Sequence, residues 1–457
     1  MMILGLGAAV LVTLATSGLG RQDAQTAPAS AASAATPQPP APVLSGNLPL
    51  TVNIPSGVST PEQARPFFDS FSWQEFIALN WPAAKSPRGT PNQPNDPDTF
   101  LKAANGTQVV WGTYKPDYEL FSLPASQRPS DWNAANAPVG LCKNAQPGQK
   151  VFVRYSKGDS VLEVQNQAFS YPLIDQNKNY AVYEIAFNQA QYNFIRGADS
   201  DPTSWLYLVK NLAAKEPIMM PASSAPANQG ALMVKAAWRI LDPKKDKASR
   251  FYAVTAAVYD PQTQKCAPQK VGLVGFHVVQ KLAAFQEWIW STFEQVDNVP
   301  GTTPGTTSGP YSFNNGTAKP ETVGGYADRP PYQAPKLQPK SQRKPVQVTR
   351  LNAIPDSTAA LNKTYQALMG KTVWQYYQLV FTQWPTHPSQ FKTMEAGGIY
   401  PQDSGAAFPV NGVTNAVMET YFQSQNDAAG AGGNSCMSCH YRAGQADYSW
   451  TLLRDAH

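Results

Sequence analysis

The chain has 457 residues, 42% of them hydrophobic and 11% aromatic, with eleven tryptophans and only 15% charged. That is enough apolar material for one large or two ordinary domains, and it excludes a chain disordered throughout. A net charge of +5 without a clustered basic run excludes the electrostatic footprint of a nucleic-acid-binding protein.

Met2 to Leu19 is an almost unbroken run of apolar and small residues, ended by the first charge at Arg21. Residues 1–20 thus resemble the apolar region of a secretory signal, without its basic start, and two outcomes stay open: a cleaved signal peptide or a retained N-terminal anchor. Residues 21–60 follow as an Ala/Pro-rich tether. From Gln25 to about Pro42 nearly every residue is Ala, Pro, Ser, Thr or Gln, which offers no core and predicts disorder.

An α+β body is expected over 61–300. The pattern of Phe68, Phe71, Trp73, Phe76 and Ile77 predicts a helix from Pro61 to Asn80, stopped by Trp81-Pro82. Strands are predicted at Val151–Tyr155, Tyr180–Phe187, Leu232–Ile240, Phe251–Tyr259 and Val271–Val279. The clearest is Leu232–Ile240, with Lys235 and Arg239 opposite an apolar face. Turn-rich joints such as Asp242-Pro243 suggest one mostly antiparallel sheet. Leu282, Phe285, Ile289, Phe293 and Val296 fall at spacings of three and four, predicting a helix laid on that sheet.

Residues 301–349 are rich in Pro and Gly and read as a long loop or linker. Helical signals resume with Leu361, Tyr365 and Leu368, continue through Trp374, Tyr377 and Phe381 to Trp384-Pro385, and recur at Thr414–Gln423. The fold class expected is therefore α+β: a mostly antiparallel sheet packed by helices, with a helical C-terminal segment over 350–457.

That segment carries the most informative residues of the chain, Cys436-Met437-Ser438-Cys439-His440. C-x-x-C-H is the signature of covalent haem attachment: two thiols three positions apart can each bond one vinyl group of a porphyrin while the next imidazole reaches its iron. It predicts one covalent haem c, bound through Cys436 and Cys439 and ligated by His440. A thioredoxin-like C-x-x-C would want a βαβ context, whereas Ala429 to Asn434 is a Gly-rich lead-in. A structural zinc site would need two further ligands at short spacing, and the nearest cysteine, Cys266, is 170 residues upstream. Covalent attachment agrees with export, since it is completed outside the cytoplasm; the expected compartment is the periplasm, with membrane association if the N-terminal segment is retained. Cys142 and Cys266 remain, either as a disulfide or as two buried thiols.

The second axial ligand decides reactivity. Only His457 follows His440 as a candidate, so an upstream residue is expected. His277, in an apolar strand, is favoured narrowly over Met418, ahead of His387 and Met394, with an open site as the alternative. Tyr441, Tyr448 and Trp450 are candidates for the haem edge, and Arg442 for a propionate.

The motif resembles that of the c-type cytochromes. Beyond it, the strings Phe76-Ile77-Ala78-Leu79-Asn80-Trp81-Pro82, Trp290 to Asn298 and Ser435 to His440 are similar to a group of larger bacterial cytochrome c family proteins with a single haem motif near the C-terminus. The resemblance implies one covalent haem and electron transfer, and no known substrate. Many members carry His where this chain has Gln295, which cannot ligate iron.

Three functions follow as expectations. The first is an exported monohaem electron carrier with a redox partner protein. The second is a peroxidase-like or oxidase-like haem enzyme whose body shapes an open distal site. The third is a binding module in which the haem reports or stabilises. Walker A, G-x-G-x-x-G, H-E-x-x-H and G-x-S-x-G patterns are absent. Glu184, Glu287, Glu294 and Asp297 are candidates for an acid/base pair, against solvated or capping roles.

Overall fold

Thr60 and Gln63 close a capping box at the start of α1 (Pro61–Leu79): the Gln63 amide donates to the Thr60 hydroxyl, and the Thr60 amide to the Gln63 side chain, each at 3.2 Å. Pro61, at the first helical position, loses no hydrogen bond there. The expected helix is present, with Phe68, Phe71, Trp73, Phe76 and Ile77 all buried.

The computed structural model describes residues 37–457 apart from 125, 137–141, 143, 147, 153–171, 199, 201–203, 206–217, 225–227, 261–262, 264, 302–308, 317–338, 387–406, 411, 424–434 and 456–457, with backbone alone at 421, 441, 442, 454 and 455. The N-terminal segment and residues 21–36 of the tether lie outside the described residues; the rest of the tether is described, and it is not free of the body, since Leu44 is buried in the main core. Pro37–His457 forms one unit.

Nine strands build one sheet: β1 (Lys115–Pro116), β2 (Val151–Phe152), β3 (Val182–Phe187), β4 (Leu232–Ile240), β5 (Ala253–Asp260), β6 (Lys265–Leu282), β7 (Phe285–Gln295), β8 (Tyr377–Pro385) and β9 (Ala407–Phe408). The order is β1-β3-β4-β6-β7-β8-β9, with β5 on β6 and β2 on β5. Every pairing is antiparallel except β2 with β5. The long β6 makes this arrangement work: its first half pairs with β5, its second half with β4 on one side and β7 on the other.

Two predicted helices are strands. The stripe Leu282 to Val296 is the turn into β7 and β7 itself, and Tyr377 to Trp384 is β8, so the segment 350–457 is only partly helical. The cause is burial on both faces. Nearly every residue of β7 and β8 is covered, which removes the alternation that marks a strand and leaves an apolar run that periodicity cannot tell from a buried helix. Thr414–Gln423 is likewise no helix; it holds turns and a short 3-10 stretch at Thr420–Phe422. The other helices used below are α2 (Asp356–Leu368), α3 (Cys436–His440) and α4 (Trp450–Asp455).

Helices α1 and α2 cover one face of the sheet. Trp73 stacks on Tyr365 with centroids 5.1 Å apart and donates to Asn362 at 2.9 Å. Beneath them runs a buried polar chain. Thr358 and Thr382 donate to Asp69 at 2.6 and 2.9 Å; Ser72 joins Thr382 at 2.7 Å and Ser291 at 2.8 Å; Ser291 reaches Glu75 at 3.1 Å. Burial pushes Asp69 up to about 6 and Glu75 well above its ordinary value, against the pull of these hydroxyls. A carboxyl raised on folding binds more protons in the folded state between the unfolded and folded values. Its contribution is therefore fully present below about pH 4 and lost as pH rises through about 6. Asp69→Asn is expected to flatten the fall in stability between pH 4 and 7 in urea titrations; an unchanged slope would count against this assignment.

Cys142 and Cys266 form a disulfide, with Cα atoms 5.3 Å apart, which settles the alternative left open above. The described parts of 301–349 pack against the body: Phe313 and Val348 are fully buried in a second core with Met418.

Candidate cofactor site

Lys235 of β4, His277 of β6 and Thr292 of β7 stand side by side across three strands, and Phe381 of β8 continues the row. Strand pairing puts these four side chains on one face of the sheet, opposite α1. Among the described residues, two of the stretches of chain that cover that face bear on the site. The first is the turn Asn415 to Glu419. Asn415 donates to Thr292 at 2.8 Å, the Ala416 amide to Glu294 at 2.6 Å, and Tyr183 to the Val417 carbonyl at 2.9 Å. Gly275 allows the close approach, since a Cβ there would meet Val417 at 2.9 Å and Met418 at 3.0 Å.

The second is the motif itself. Gln383 of β8 accepts from the Met437 amide at 2.8 Å and donates to the Ser435 hydroxyl at 2.8 Å, fixing the first turn of α3 to the sheet. Met437 is fully buried in the main core, so Cys436 and Cys439 flank an anchored residue. The two cysteines are half-buried thiols not joined in a disulfide. Burial, then Glu419 and Cys439, raises the Cys436 thiol well above its ordinary value. A catalytic C-x-x-C needs the opposite shift, because the thiolate is its nucleophile.

His440 points its Nδ1 at the Tyr448 carbonyl, 2.7 Å away, with Trp290 beside the ring at a centroid distance of 4.5 Å. A carbonyl can only accept, so Nδ1 carries the proton and Nε2 the lone pair, the tautomer a metal ligand requires. Burial pushes His440 down to about 4, against the Tyr448 bond, with Lys235 and His277 adding to the fall. The imidazole is neutral at physiological pH.

The Tyr448 carbonyl is held there by unusual backbone. Asp447 and Tyr448 adopt left-handed conformations, φ 52° and 66°, as does Trp288 at φ 69°. Buried contacts over-determine them: the Asp447 carboxylate takes Lys281 at 2.6 Å, the Met220 amide at 2.7 Å and the Trp288 indole at 3.3 Å.

Upstream, His277 Nε2 meets Glu419 at 2.8 Å, while its buried Nδ1 has no partner among the described residues. Burial alone would raise Glu419; the charge and hydrogen bond of His277, with Lys235, outweigh it and hold the carboxyl below its ordinary value. The structure thus brings His277 into the electrostatic neighbourhood of Cys436 and His440, through Glu419, which the sequence did not single out. Met418 lies in a turn, packed on Gly275 in the second core. His387, Met394 and His457 lie outside the described residues, as do the side chains of Tyr441 and Arg442.

The four candidate carboxylates do not converge. Glu184 pairs with Lys150 on the α1 face, Glu294 with Arg350, and Asp297 with Arg250 at 2.5 Å; Glu287, pushed up to about 7 by burial, lies near Lys281. Gln295 donates to the Arg250 backbone carbonyl and the Asp297 carboxylate. Among the described residues no three His, Cys, Asp or Glu side chains stand where they could hold a metal ion. Porphyrin iron asks less of the protein, one or two axial ligands.

Models of known protein families, curated proteins and solved structures were compared with the chain, and none matches. The residues present fit a covalent haem on their own chemistry: two thiols on one helical turn and a neutral imidazole with Nε2 unspent. Among the described residues no helix is long and apolar enough to cross a membrane.

Proposed function

We propose that this protein is an exported, periplasmic monohaem c-type cytochrome that passes electrons to or from a redox partner protein. The observation that carries the reading is the His440–Tyr448 hydrogen bond, which readies Nε2 beside two unbridged thiols. Cys436 and Cys439 would hold haem c through thioethers, and His440 would be the proximal ligand. Bound haem supplies one-electron exchange; the chain supplies the ligand, its orientation and burial. The 2.7 Å bond to Tyr448 fixes the ring and raises its basicity, and Trp290 limits its rotation.

His277 remains the favoured distal ligand, and its unpartnered Nδ1 is the atom left for that role. The His277–Glu419 pair also supports a second reading, a haem enzyme, because an imidazole tied to a carboxylate can act as a base at an open iron. Carbon monoxide and cyanide separate the two. In the carrier, the wild type should resist both ligands, His277→Ala should admit them, and Met418→Ala should leave the visible spectrum unchanged. Rapid binding to the wild type, with His277→Ala slowing turnover of peroxide, would favour the enzyme.

A further inference from the structure

On the α1 face, a cavity of about 150 Å³ opens between β3, β5 and the chain around Trp111, lined among others by Trp111, Tyr114, Tyr118, Lys150, Glu184 and Tyr252. It is separate from the cofactor site. Glu184 pairs with Ala236 on β4, whereas the next residue, Lys235, points to the other face with His277. The cavity is built around one ammonium. Lys150 meets both oxygens of Glu184 at 2.7 Å, and its Nζ lies 4.9 Å from the Trp111 ring and 5.4 Å from that of Trp238. Trp238 in turn donates to Glu184 at 3.0 Å, locking the carboxylate.

Counting donors shows what is missing. Lys150 has three N–H donors and spends two on Glu184. Tyr114 and Tyr118 are 5% and 6% exposed, and neither hydroxyl has a hydrogen-bond partner among the described residues. All three residues line the cavity, so these unspent donors are open to an acceptor brought into it. Lys150 offsets the charge of Glu184, and the side-chain donors left over, its third N–H and the two hydroxyls, suit the oxygens of an anion better than an ammonium ligand. The aromatic walls favour a planar ring, and a cavity of this size is known to hold benzene.

We propose that this cavity binds a monocyclic aromatic carboxylate of benzoate size, with the carboxylate taken by Lys150 and the tyrosine hydroxyls and the ring laid against the aromatic walls. The site is independent of the haem reading. Calorimetric titration of the full chain with sodium benzoate at pH 7 tests it. One saturable site is expected, weakened about tenfold or more by Lys150→Met and several-fold by Tyr118→Phe, with benzylamine binding at least about tenfold more weakly. Tyr118→Phe removes one oxygen and preserves packing, so it serves if Lys150→Met fails to fold. The proposal is overturned if benzoate shows no saturable binding, if benzylamine binds as tightly, or if a folded Lys150→Met or Tyr118→Phe keeps wild-type affinity.

Discussion

Lys281→Met is expected to destabilise the folded chain by about 3–5 kcal/mol, the loss typical when one partner of a buried ion pair is removed. Lys281 and Asp447 are almost fully buried and 2.6 Å apart. Burial already raises Asp447, and Lys281 is the largest influence opposing that rise. Without the ammonium, the carboxylate must take up a proton or stay buried as an unpaired charge. The bonds from Trp288 and Met220 remain but carry less charge. The effect should also be local: the left-handed pair Asp447-Tyr448 loses its anchor, and with it the carbonyl that orients His440. Lys281→Met/Asp447→Leu should therefore recover most of the stability in urea denaturation. A loss below about 1 kcal/mol in the single variant would contradict this account of the pair.

The second large effect belongs to the disulfide. Cys142 and Cys266 are separated by 124 residues, and the chain-entropy model assigns a loop of that length about 5 kcal/mol. Cys142→Ser/Cys266→Ser should lower stability by that order, with the variant's denatured state more expanded. The bridge ties the described part of the 142–149 region to β6, next to Tyr259 and Val151. Equal denaturation midpoints for oxidised wild type and the double variant would show that the bridge leaves the denatured ensemble unconstrained.

Much of the sheet was readable where polar residues still alternate with apolar ones in the sequence. In β4, between β3 and β6, Lys235 and Arg239 mark the period of two, although Arg239 is itself buried in an ion pair with Asp175. β7 and β8 were misread for the converse reason. With α1 and α2 on one face and the C-terminal segment on the other, position within the sheet removes the pattern that would reveal the strand. The candidate site divides in the same way. Cys436, Cys439 and His440 are legible because the covalent attachment proposed for them demands fixed local spacing. His277 was legible as a residue type on an apolar strand, yet its partner Glu419 lies 142 residues away. Lys281 and Asp447 are 166 apart, and neither spacing nor periodicity links them. Groups that act through the tertiary fold leave no trace in a local pattern.

The Trp288, Asp447 and Tyr448 conformations were equally hidden, since none is the glycine that a left-handed position usually announces. Their cost is met by the buried contacts around Asp447, and the result is a rigid platform for one carbonyl.

Mass spectrometry of the chain matured in a host competent for cytochrome c assembly goes furthest to decide the reading. The peptide containing Cys436 and Cys439 should carry the mass of one haem, and Cys436→Ala/Cys439→Ala should lose it while the rest of the chain stays folded. An unmodified peptide from that host, with both thiols still open to alkylation, would contradict it.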